Sequence, residues 1–254
     1  MTVTDAATAP GKRLEWQVAE VRDIVIETPR VKSFLLQVNG WRGHLPGQHV
    51  DIKLTAEDGY HAQRSYSIAS APENELVTLT VECIAGGEVS PYLFGELCHG
   101  DQFQLRGPIG GYFVWTVAKR GPLYLIAGGS GIVPLMAMLR HRERRKVPVP
   151  TALLYSSRSL EDVIYQEELD AMAQHDRNLH VTHTLTRKQP DGWAGHRGRV
   201  DREMLAKASF PLSSKQNTFV CGPTPFVEHV SNVLVELGHD ALAIRTERFG
   251  PTGE

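Results

Sequence analysis

The chain has 254 residues and a formal net charge of −2. This length is sufficient for two domains with their own cores, and the near-neutral charge provides no basic field to attract nucleic acid. No apolar run approaches the ~20 residues that a membrane-spanning helix requires. We therefore expect a monomeric globular protein that binds neither nucleic acid nor a membrane.

The cysteines and histidines form no pattern typical of a disulfide framework or a metal site. Cys83, Cys98 and Cys221 are far apart and odd in number, which favours a reducing compartment such as the cytoplasm. They also cannot supply the four thiolates of an iron–sulfur cluster. The eleven histidines show no metal-ligand spacing. We expect a cytoplasmic protein without a metal.

Short alternating segments separated by Gly, Pro and Asn occupy residues 14–118, for example VKSFLLQVN, HVDIKLT and LVTLTVECI. Regular short strands with turn signals between them are typical of a small antiparallel barrel or sandwich. One helix is predicted at SPYLFGEL, with Ser90 as its cap and Pro91 in its first turn. Residues 1–13 lack the apolar segment of a signal peptide and are expected to form a flexible tail.

The strand-like segment HAQRSYSIAS combines a cation and an aromatic ring on one face. In an extended strand, Arg64, Tyr66 and Ile68 share one side, whereas Ser65 and Ser67 share the other. Arg64 is suited to pair with a phosphate, Tyr66 to stack on a tricyclic ring, and Ser67 to hydrogen-bond a ring nitrogen. The pattern favours a flavin dinucleotide site, and an ordinary barrel strand is the alternative.

A glycine-rich segment, GGEVS, is a candidate phosphate-binding loop in the same half. Gly86 and Gly87 permit close approach of the backbone to a ligand. Val89 and Ser90 lead into the predicted short helix, whose N-terminus attracts an anion. Taken alone, the segment is equally compatible with a simple turn.

After Gly121-Pro122 the pattern changes to alternating strands and helices, so we place a second domain over residues 119–254. Strand segments such as PLYLIAGG and TALLYSS precede helical segments such as IVPLMAMLRHRERR and EDVIYQEELDAMA. Ser159 and Asp162 are predicted to form a capping box for the second of these helices. The alternation predicts a parallel sheet with helices on both faces.

The first strand–helix connection, AGGSGIVPL, is a second candidate phosphate loop. Gly129, Ser130 and Gly131 allow a tight turn in which a diphosphate approaches the amides of a helix N-terminus. The loop departs from G-x-G-x-x-G because Pro134 stands where a third glycine is expected, and a proline fits an early helical turn. A tight turn without a ligand is the alternative.

The end of the second strand of this half indicates which dinucleotide is bound. NAD sites usually place an acid there to bind the ribose 2′-hydroxyl, but this chain has Ser156, Ser157 and Arg158. Such hydrogen-bond donors suit a 2′-phosphate, so we expect NADPH to be preferred over NADH. Arg199 is a candidate for a second cation, and a polar loop without a ligand is the alternative.

Cys221 ends a predicted strand in the segment NTFVCGP. Ligands bind at the carboxyl ends of strands in open α/β sheets, so Cys221, Gly222 and Pro223 are candidate ligand contacts. No histidine base lies near Cys221 in the sequence, and we do not expect a covalent nucleophile. A small buried hydrophobic residue is the alternative interpretation of this cysteine.

The motifs R-x-Y-S, GG-x-x-S, G-P-I-G-G-Y-F, GG-S-G-I-V-P and C-G-P occur in this order along the chain. Their order and spacing resemble the ferredoxin–NADP⁺ reductase superfamily over nearly the whole chain, from about residue 14 to 249. The resemblance implies a β + α/β fold, with an N-terminal antiparallel FAD-binding β-barrel followed by a C-terminal parallel-sheet α/β NADP-binding domain. It implies FAD and NADP(H) as cofactors.

The resemblance also implies roles for the motif residues. Arg64 would bind the FAD pyrophosphate, Tyr66 would lie along the isoalloxazine, and Ser67 would lie near flavin N5. The loop from Gly86 to Ser90, including Gly87 and Val89, would cradle the FAD pyrophosphate. On the other side, the loop from Gly129 to Pro134 would cradle the NADP pyrophosphate, and Cys221, Gly222 and Pro223 would line the nicotinamide pocket.

The C-terminal segment TERFGPTGE departs from the superfamily pattern. Plant-type members end in an aromatic residue stacked on the flavin, but here Phe249 stands five residues before the last position. Glu247 or Phe249 is a candidate to approach the flavin, and the G-P-T-G tail either covers the ring or hangs free. Ser67, Cys221 and Glu247 are therefore the residues we expect nearest the reacting atoms.

Many relatives carry an iron–sulfur domain with a C-x₄-C-x₂-C run, and this chain has no such run. Electrons must then leave to a separate acceptor. We expect an FAD-dependent reductase that moves hydride from NADPH to flavin N5 and passes electrons to a carrier protein such as a ferredoxin. The alternatives are a reductase of small acceptors (free flavin, ferric chelates, quinone), a non-catalytic redox sensor that binds flavin and dinucleotide, and a simple interaction domain.

Overall fold

The computed structural model describes residues 14–55, 59–212 and 216–250. The predicted flexible tail, residues 1–13, and residues 251–254 of the C-terminal tail lie outside these ranges. Six strands form an antiparallel sheet: β1 (Gln17–Thr28), β2 (Val31–Val38), β3 (His49–Thr55), β4 (His61–Ser67), β5 (Val77–Glu82) and β6 (Gln102–Ile109). A short helix, α1 (Ser90–Gly95), lies between β5 and β6.

The antiparallel sheet closes on itself. Its strand order is β4-β3-β6-β1-β2-β5, and an isolated bridge from Ile68 to Leu79 joins the two outer strands. Inward-facing apolar residues such as Phe34, Leu36 and Ile52 fill the interior. Burial of each larger side chain contributes about 1.5–3 kcal/mol. The predicted antiparallel barrel is therefore confirmed.

The second half forms a parallel sheet in the order β10-β9-β8-β7-β11-β12. Its strands are β7 (Leu123–Gly128), β8 (Thr151–Ser157), β9 (Leu179–Leu185), β10 (His196–Arg197), β11 (Asn217–Pro223) and β12 (Ile244–Phe249). The connecting helices are α2 (Ile132–Arg144), α3 (Gln166–His175), α4 (Arg202–Ala208) and α5 (Thr224–Glu236). None of the helices within the described ranges is long and apolar enough to cross a membrane.

The burial of the central strand β7 explains why its sequence is a continuous apolar run. Every residue of β7 is buried. Its side chains alternate between two cores, with Leu123 and Leu125 on the face covered by α2 and α3, and Tyr124 and Ile126 on the face covered by α4 and α5. A strand covered on both faces needs apolar residues at every position. The predicted parallel sheet with helices on both faces is confirmed.

The barrel and the parallel sheet share one core. Val31 and Ala69 of the barrel belong to the same buried cluster as Leu135 and Met138 of α2. Arg140 of α2 also donates from Nη1 to the carbonyl of Ala69 at 2.8 Å. This shared core fixes the position of the R-x-Y-S strand relative to the strand ends of the sheet.

Two predicted helix caps are wrong. Ser90 is the first residue of α1, and its Oγ accepts the Ile84 N–H at 3.1 Å instead of capping the helix. The Ser159 hydroxyl bonds the Asp162 carboxylate at 2.7 Å, within a short 3₁₀ turn. The helix α3 begins only after Tyr165, whose left-handed backbone (φ 61°) separates it from that turn. Both serines thus satisfy local groups other than a free helix end.

Candidate functional site

The R-x-Y-S strand places a cation and a neutral aromatic ring on the barrel. Arg64 is exposed and donates from Nη2 to Glu88 Oε2 at 3.0 Å. Tyr66 is half-buried against the barrel core, and burial raises the pKa of its hydroxyl to about 12. The ring therefore stays uncharged at neutral pH. Ile68, predicted on the same face, is fully buried and forms part of the barrel core.

The loop Gly86–Ser90 lies beside that cation and carries an acidic side chain. Glu88 accepts the Tyr60 hydroxyl at Oε1, at 2.6 Å, and its other oxygen accepts the Arg64 guanidinium. Gly86 has a positive φ of 78°, and a side chain there would meet nothing within 4 Å. The loop is thus open to solvent over Gly86–Glu88 but buried at Val89 and Ser90, and a carboxylate lies where an anionic ligand is expected.

A groove of about 740 Å³ runs along the barrel next to this loop. Its lining includes Tyr60, Ala62, Glu88 and Tyr92. Ligand sites of 300–1,000 Å³ are typical for cofactors. None of the predicted flavin contacts lines this groove, and Glu88 alone connects it to Arg64, so the groove adjoins the predicted flavin residues without being formed by them.

Three predicted site residues meet at the boundary between the barrel and the sheet. Ser67 Oγ donates to Glu247 Oε1 at 2.9 Å, although 180 positions separate them in the sequence. Glu247 on β12 stands in register with Cys221 on β11. Burial raises the pKa of Glu247, and the hydrogen bond from Ser67 offsets this only in part. The end of the R-x-Y-S strand therefore touches the ligand-binding edge of the sheet.

Cys221 is a buried, protonated thiol. Burial, and then the nearby charge of Glu247, raise its pKa well above the usual range. Because the thiolate is the reactive form, this environment makes the side chain a poor nucleophile. Cys221 is 1% exposed, belongs to the core shared by the barrel and the sheet, and does not line the cavity over the glycine loop, which agrees with its alternative interpretation as a small buried hydrophobic residue.

The glycine loop after β7 is shaped by contact with β11. An added Cβ at Gly131 would lie 2.2 Å from the carbonyl oxygen of Cys221 and 2.7 Å from the Gly222 nitrogen. Only glycine permits this approach. Gly129 has a positive φ of 54° and faces open space. Pro134 is buried in the first turn of α2.

A cavity of about 190 Å³ lies over this loop, at the carboxyl ends of the strands. Predicted residues that line it are Gly129, Ser130, Ser157, Arg158, Pro223 and Phe249. The barrel contributes Thr28, Arg30, Val31 and Glu82, which the sequence did not indicate as site residues. Both halves of the molecule therefore form this site, and its volume holds part of a dinucleotide.

The strand end predicted to select the dinucleotide is partly buried. Ser156 and Ser157 are buried, whereas Arg158 is exposed. The Arg158 carbonyl accepts the N–H groups of Arg187 and Lys188 at 2.8 and 3.2 Å, but neither of these residues lines the cavity, and the Lys188 Nζ pairs with Glu161 at 2.9 Å. Arg199, the predicted second cation, does not line the cavity.

Another large cleft lies away from these residues. About 770 Å³ in volume, it lies between the β1–β2 hairpin and the helices α2 and α3, and none of the predicted site residues lines it. Within the described ranges, no three His, Cys, Asp or Glu side chains are arranged to hold a metal ion. The chemistry of the motifs is concentrated at the barrel loop and the sheet edge.

A closed antiparallel barrel with a cation and an aromatic ring, joined to a parallel sheet with a glycine loop, defines the class of flavoprotein oxidoreductases that bind FAD and a nicotinamide dinucleotide. Family models agree with the geometry. An oxidoreductase FAD-binding domain matches residues 18–114, and an oxidoreductase NAD-binding domain matches residues 125–232.

Similar proteins extend this result. Ferredoxin–NADP reductase B of Sorangium cellulosum is 31% identical over 238 residues, covering 91% of this chain and 91% of that protein. The chain belongs to the ferredoxin–NADP⁺ reductase superfamily, as its motifs indicated, and its relatives are NAD(P)H-dependent flavoprotein oxidoreductases. The predictions of the enzyme class and of FAD with a nicotinamide dinucleotide are confirmed at this level.

Other relatives differ in length. The glycine betaine monooxygenase reductase subunit of Pseudomonas aeruginosa is 34% identical over 210 residues, which cover 82% of this chain and 56% of that protein. The chain therefore spans little more than half of that subunit. The FAD/NAD-binding domain of nitric oxide dioxygenase from Vibrio cholerae has the same fold, with a TM-score of 0.83, 25% identity, and coverage of 92% of this chain and 99% of that one.

Proposed function

We propose that this chain is a cytoplasmic, monomeric, FAD-dependent reductase with a barrel domain over residues 14–118 and a dinucleotide-binding domain over residues 119–254. It takes hydride from NADPH and passes electrons to a separate carrier protein such as a ferredoxin. The observation that carries the proposal is the Ser67–Glu247 hydrogen bond, which brings the end of the flavin-type strand to the edge of the sheet where Cys221 lies.

The residues at this boundary would bind and orient the two reacting rings. Hydride acceptance and one-electron release are the chemistry that bound FAD supplies. Arg64 and the loop Gly86–Ser90 would hold the pyrophosphate, and the neutral Tyr66 would provide a flat apolar contact. The Ser67 hydroxyl donates a hydrogen bond to Glu247, so the lone pairs of the Ser67 oxygen stay available to accept a hydrogen bond from a ring N–H.

The protonated Cys221 and the half-buried Phe249 would cover the dinucleotide side of the site. Neither presents a charge that would compete with hydride transfer, and both limit the access of water. Positioning of two rings within contact distance, rather than acid–base chemistry, is what the residues at this boundary can supply.

The preference for NADPH rests on Ser157 and Arg158 at the end of β8. Arg158 lines the cavity, is exposed, and offers a cation where a 2′-phosphate would lie. We expect NADPH to reduce the flavin at least tenfold more efficiently than NADH. Arg158→Gln should lower kcat/KM for NADPH by about tenfold and change that for NADH little, since one charge-assisted hydrogen bond is lost.

A protein acceptor is proposed because of the relatives. One is named a ferredoxin–NADP reductase, and another the reductase subunit of a monooxygenase. Transfer to a carrier protein and transfer to free flavin, ferric chelates or quinone differ in their kinetics. A carrier gives a saturable rate that falls with ionic strength, because protein association is steered by charge.

The test is a stopped-flow experiment on the FAD-loaded protein. Flavin absorbance is followed after mixing with NADPH or NADH, and then after mixing the reduced protein with a ferredoxin, ferric citrate or a quinone. Rapid bleaching by NADPH and rapid reoxidation by the ferredoxin support the proposal. Slow bleaching supports a redox sensor, reoxidation only by small acceptors supports the alternative reductase, and a protein that binds no FAD overturns all three.

A further inference from the structure

Arg30 occupies the tight turn of the β1–β2 hairpin, on the barrel, yet it lines the cavity over the glycine loop of the sheet. Its backbone is fixed on both sides. The Arg30 N–H donates to Thr28 Oγ1 at 3.3 Å, and its carbonyl accepts the Cys83 N–H at 2.8 Å. A fixed backbone holds the long side chain at the mouth of this cavity.

The guanidinium of Arg30 joins the two halves of the molecule through carboxylates. Its Nη2 lies 3.2 Å from Asp162 Oδ1 and 3.8 Å from Glu82 Oε1. Glu82 in turn accepts the hydroxyl of Ser130, a residue of the glycine loop, at 2.8 Å. One carboxylate therefore separates Arg30 from the loop, and all four residues line the cavity.

Two acidic side chains at an anion site need a cation between them and the ligand. Partial burial opposes ionisation of Asp162, but hydrogen bonds from Ser159 and Arg30 hold its pKa below the usual value. Asp162 is therefore a carboxylate at neutral pH. Without Arg30, it would repel the phosphates of a dinucleotide approaching the loop.

The bond between Arg30 and Asp162 is weak enough to be shared. The side chains are 45% and 29% exposed, and exposed ion pairs contribute little because water and salt screen them. A guanidinium has five N–H donors in a planar fork. It can keep one carboxylate on one edge and present the other edge to a phosphate.

We propose that Arg30 is a barrel-borne ligand of the dinucleotide pyrophosphate, that Glu82 holds its side chain near the glycine loop, and that Asp162 is the carboxylate with which the phosphate competes for it. The inference rests on the proposed function, because it assumes that a nicotinamide dinucleotide binds over that loop. It assigns the pyrophosphate rather than the 2′-phosphate because Arg30 is connected through Glu82 to Ser130. The competing interpretation is a simple ion pair that holds the two domains together.

The first test measures binding without turnover. Isothermal titration calorimetry gives the Kd of NADP⁺, NAD⁺ and adenosine 2′-monophosphate for the oxidised, FAD-loaded protein and for Arg30→Gln. The matched control is Arg22→Gln, on the strand β1 that leads into the same hairpin turn, with the same 45% exposure and a 2.8 Å ion pair to Glu20. We expect Arg30→Gln to weaken NADP⁺ and NAD⁺ binding by about tenfold. Adenosine 2′-monophosphate, which lacks the pyrophosphate, should bind within about twofold of wild type, and Arg22→Gln should change nothing.

The second test separates a ligand from a structural ion pair. Asp162→Asn keeps an oxygen to accept the Ser159 hydroxyl but removes the charge. If Arg30 binds phosphate, Asp162→Asn preserves or tightens NADP⁺ binding, and the Arg30→Gln/Asp162→Asn double variant recovers part of the loss, because the bared carboxylate is gone. A structural ion pair predicts instead that both single variants weaken binding equally.

The outcomes are distinguishable. Wild-type protein that binds NADP⁺ together with an Arg30→Gln variant that binds it equally well overturns this inference and leaves the proposed function intact. Equal weakening of NADP⁺ and adenosine 2′-monophosphate overturns the pyrophosphate assignment. Wild-type protein that binds neither dinucleotide overturns the proposed function and this inference with it. Unchanged FAD content and circular dichroism of Arg30→Gln exclude misfolding as the cause of a loss.

Discussion

The two glycine loops hold their shape in different ways. The barrel loop, Gly86–Ser90, is open at Gly86, and its Glu88 is held by exposed side chains, Arg64 and Tyr60. The sheet loop is closed by backbone contact, with Gly131 pressed against the Cys221 carbonyl. We therefore expect the barrel loop to bind its ligand mainly through charge, and the sheet loop mainly through the shape of its backbone. Binding through charge tolerates small displacements but is weakened by salt, whereas binding that depends on close packing is lost when one methyl group is added.

The largest expected loss of activity is that of Gly131→Ala, in the sheet loop. The added methyl would lie 2.2 Å from the Cys221 oxygen, so the loop or β11 must shift. We expect kcat/KM for NADPH to fall at least about a hundredfold, because a displaced loop no longer aligns the dinucleotide. Stopped-flow flavin reduction measures this. Gly111→Ala, where nothing lies within 4 Å, is the control, and equal activity of the two variants would show that the loop is not shape-dependent.

We expect FAD binding at the barrel loop to weaken when its cation, Arg64, is removed. Arg64→Gln loses the charge-assisted contact to a pyrophosphate and leaves the Glu88 carboxylate beside it with the Tyr60 hydroxyl but without its cation. We expect the Kd of FAD to rise about tenfold to a hundredfold, measured by flavin fluorescence on the apoprotein. Arg202→Gln is a control of equal exposure, since Arg202 is 56% and Arg64 55% exposed. An unchanged FAD affinity in Arg64→Gln would show that the barrel loop does not depend on this charge.

A smaller effect of opposite sign is expected from Glu88→Gln. The wild-type carboxylate competes with FAD for Arg64, so its neutralisation should tighten FAD binding about threefold at low salt, and less at 0.5 M salt. Both partners are about half exposed, which limits the effect. Glu203→Gln, on α4 with a similar exposed ion pair, is the control. Weaker FAD binding in Glu88→Gln would mean that this carboxylate supports the site.

The smallest expected effect concerns pH and the boundary between the loops. Burial raises the pKa of Glu247 in the folded protein, so the folded state binds its proton more tightly than the unfolded state does. Stability from this group is present below the unfolded pKa of about 4.5 and is lost as pH rises through the folded pKa. Urea unfolding from pH 4.5 to 8 should show this loss in wild type and a flatter profile in Glu247→Gln. Identical profiles would contradict the burial of this carboxyl group.

Patterns within the chain were enough to predict the fold, whereas the site residues that they indicate remain predictions. Alternation of apolar and polar residues indicated the barrel strands, and the continuous apolar run of β7 is what a strand covered on both faces requires. Gly131 and Cys221 were selected separately, and the structure shows that they touch. Helix ends were less predictable, because Ser90 and Ser159 satisfy local groups that compete with a helix N-terminus.

Contacts between the two halves were beyond sequence reasoning. Ser67 and Glu247 were both selected, but nothing in the chain indicated that they pair across 180 positions. Arg30 and Glu82 were missed altogether, because a charged residue in a tight turn or at a strand end usually faces solvent. The proposed role of Arg30 depends on its contact with Asp162, which is 132 positions away in the sequence. Such pairs appear only when topology brings distant elements together.

The cluster in which Val31 and Ala69 of the barrel pack with Leu135 of α2 has a consequence for how the molecule melts. A chain cut between its halves would leave this apolar surface facing water on both fragments, and the Arg140 guanidinium would lose the Ala69 carbonyl. We therefore expect heat to unfold the protein in a single calorimetric transition. A weakening substitution in either half would then lower the population competent to bind both nucleotides.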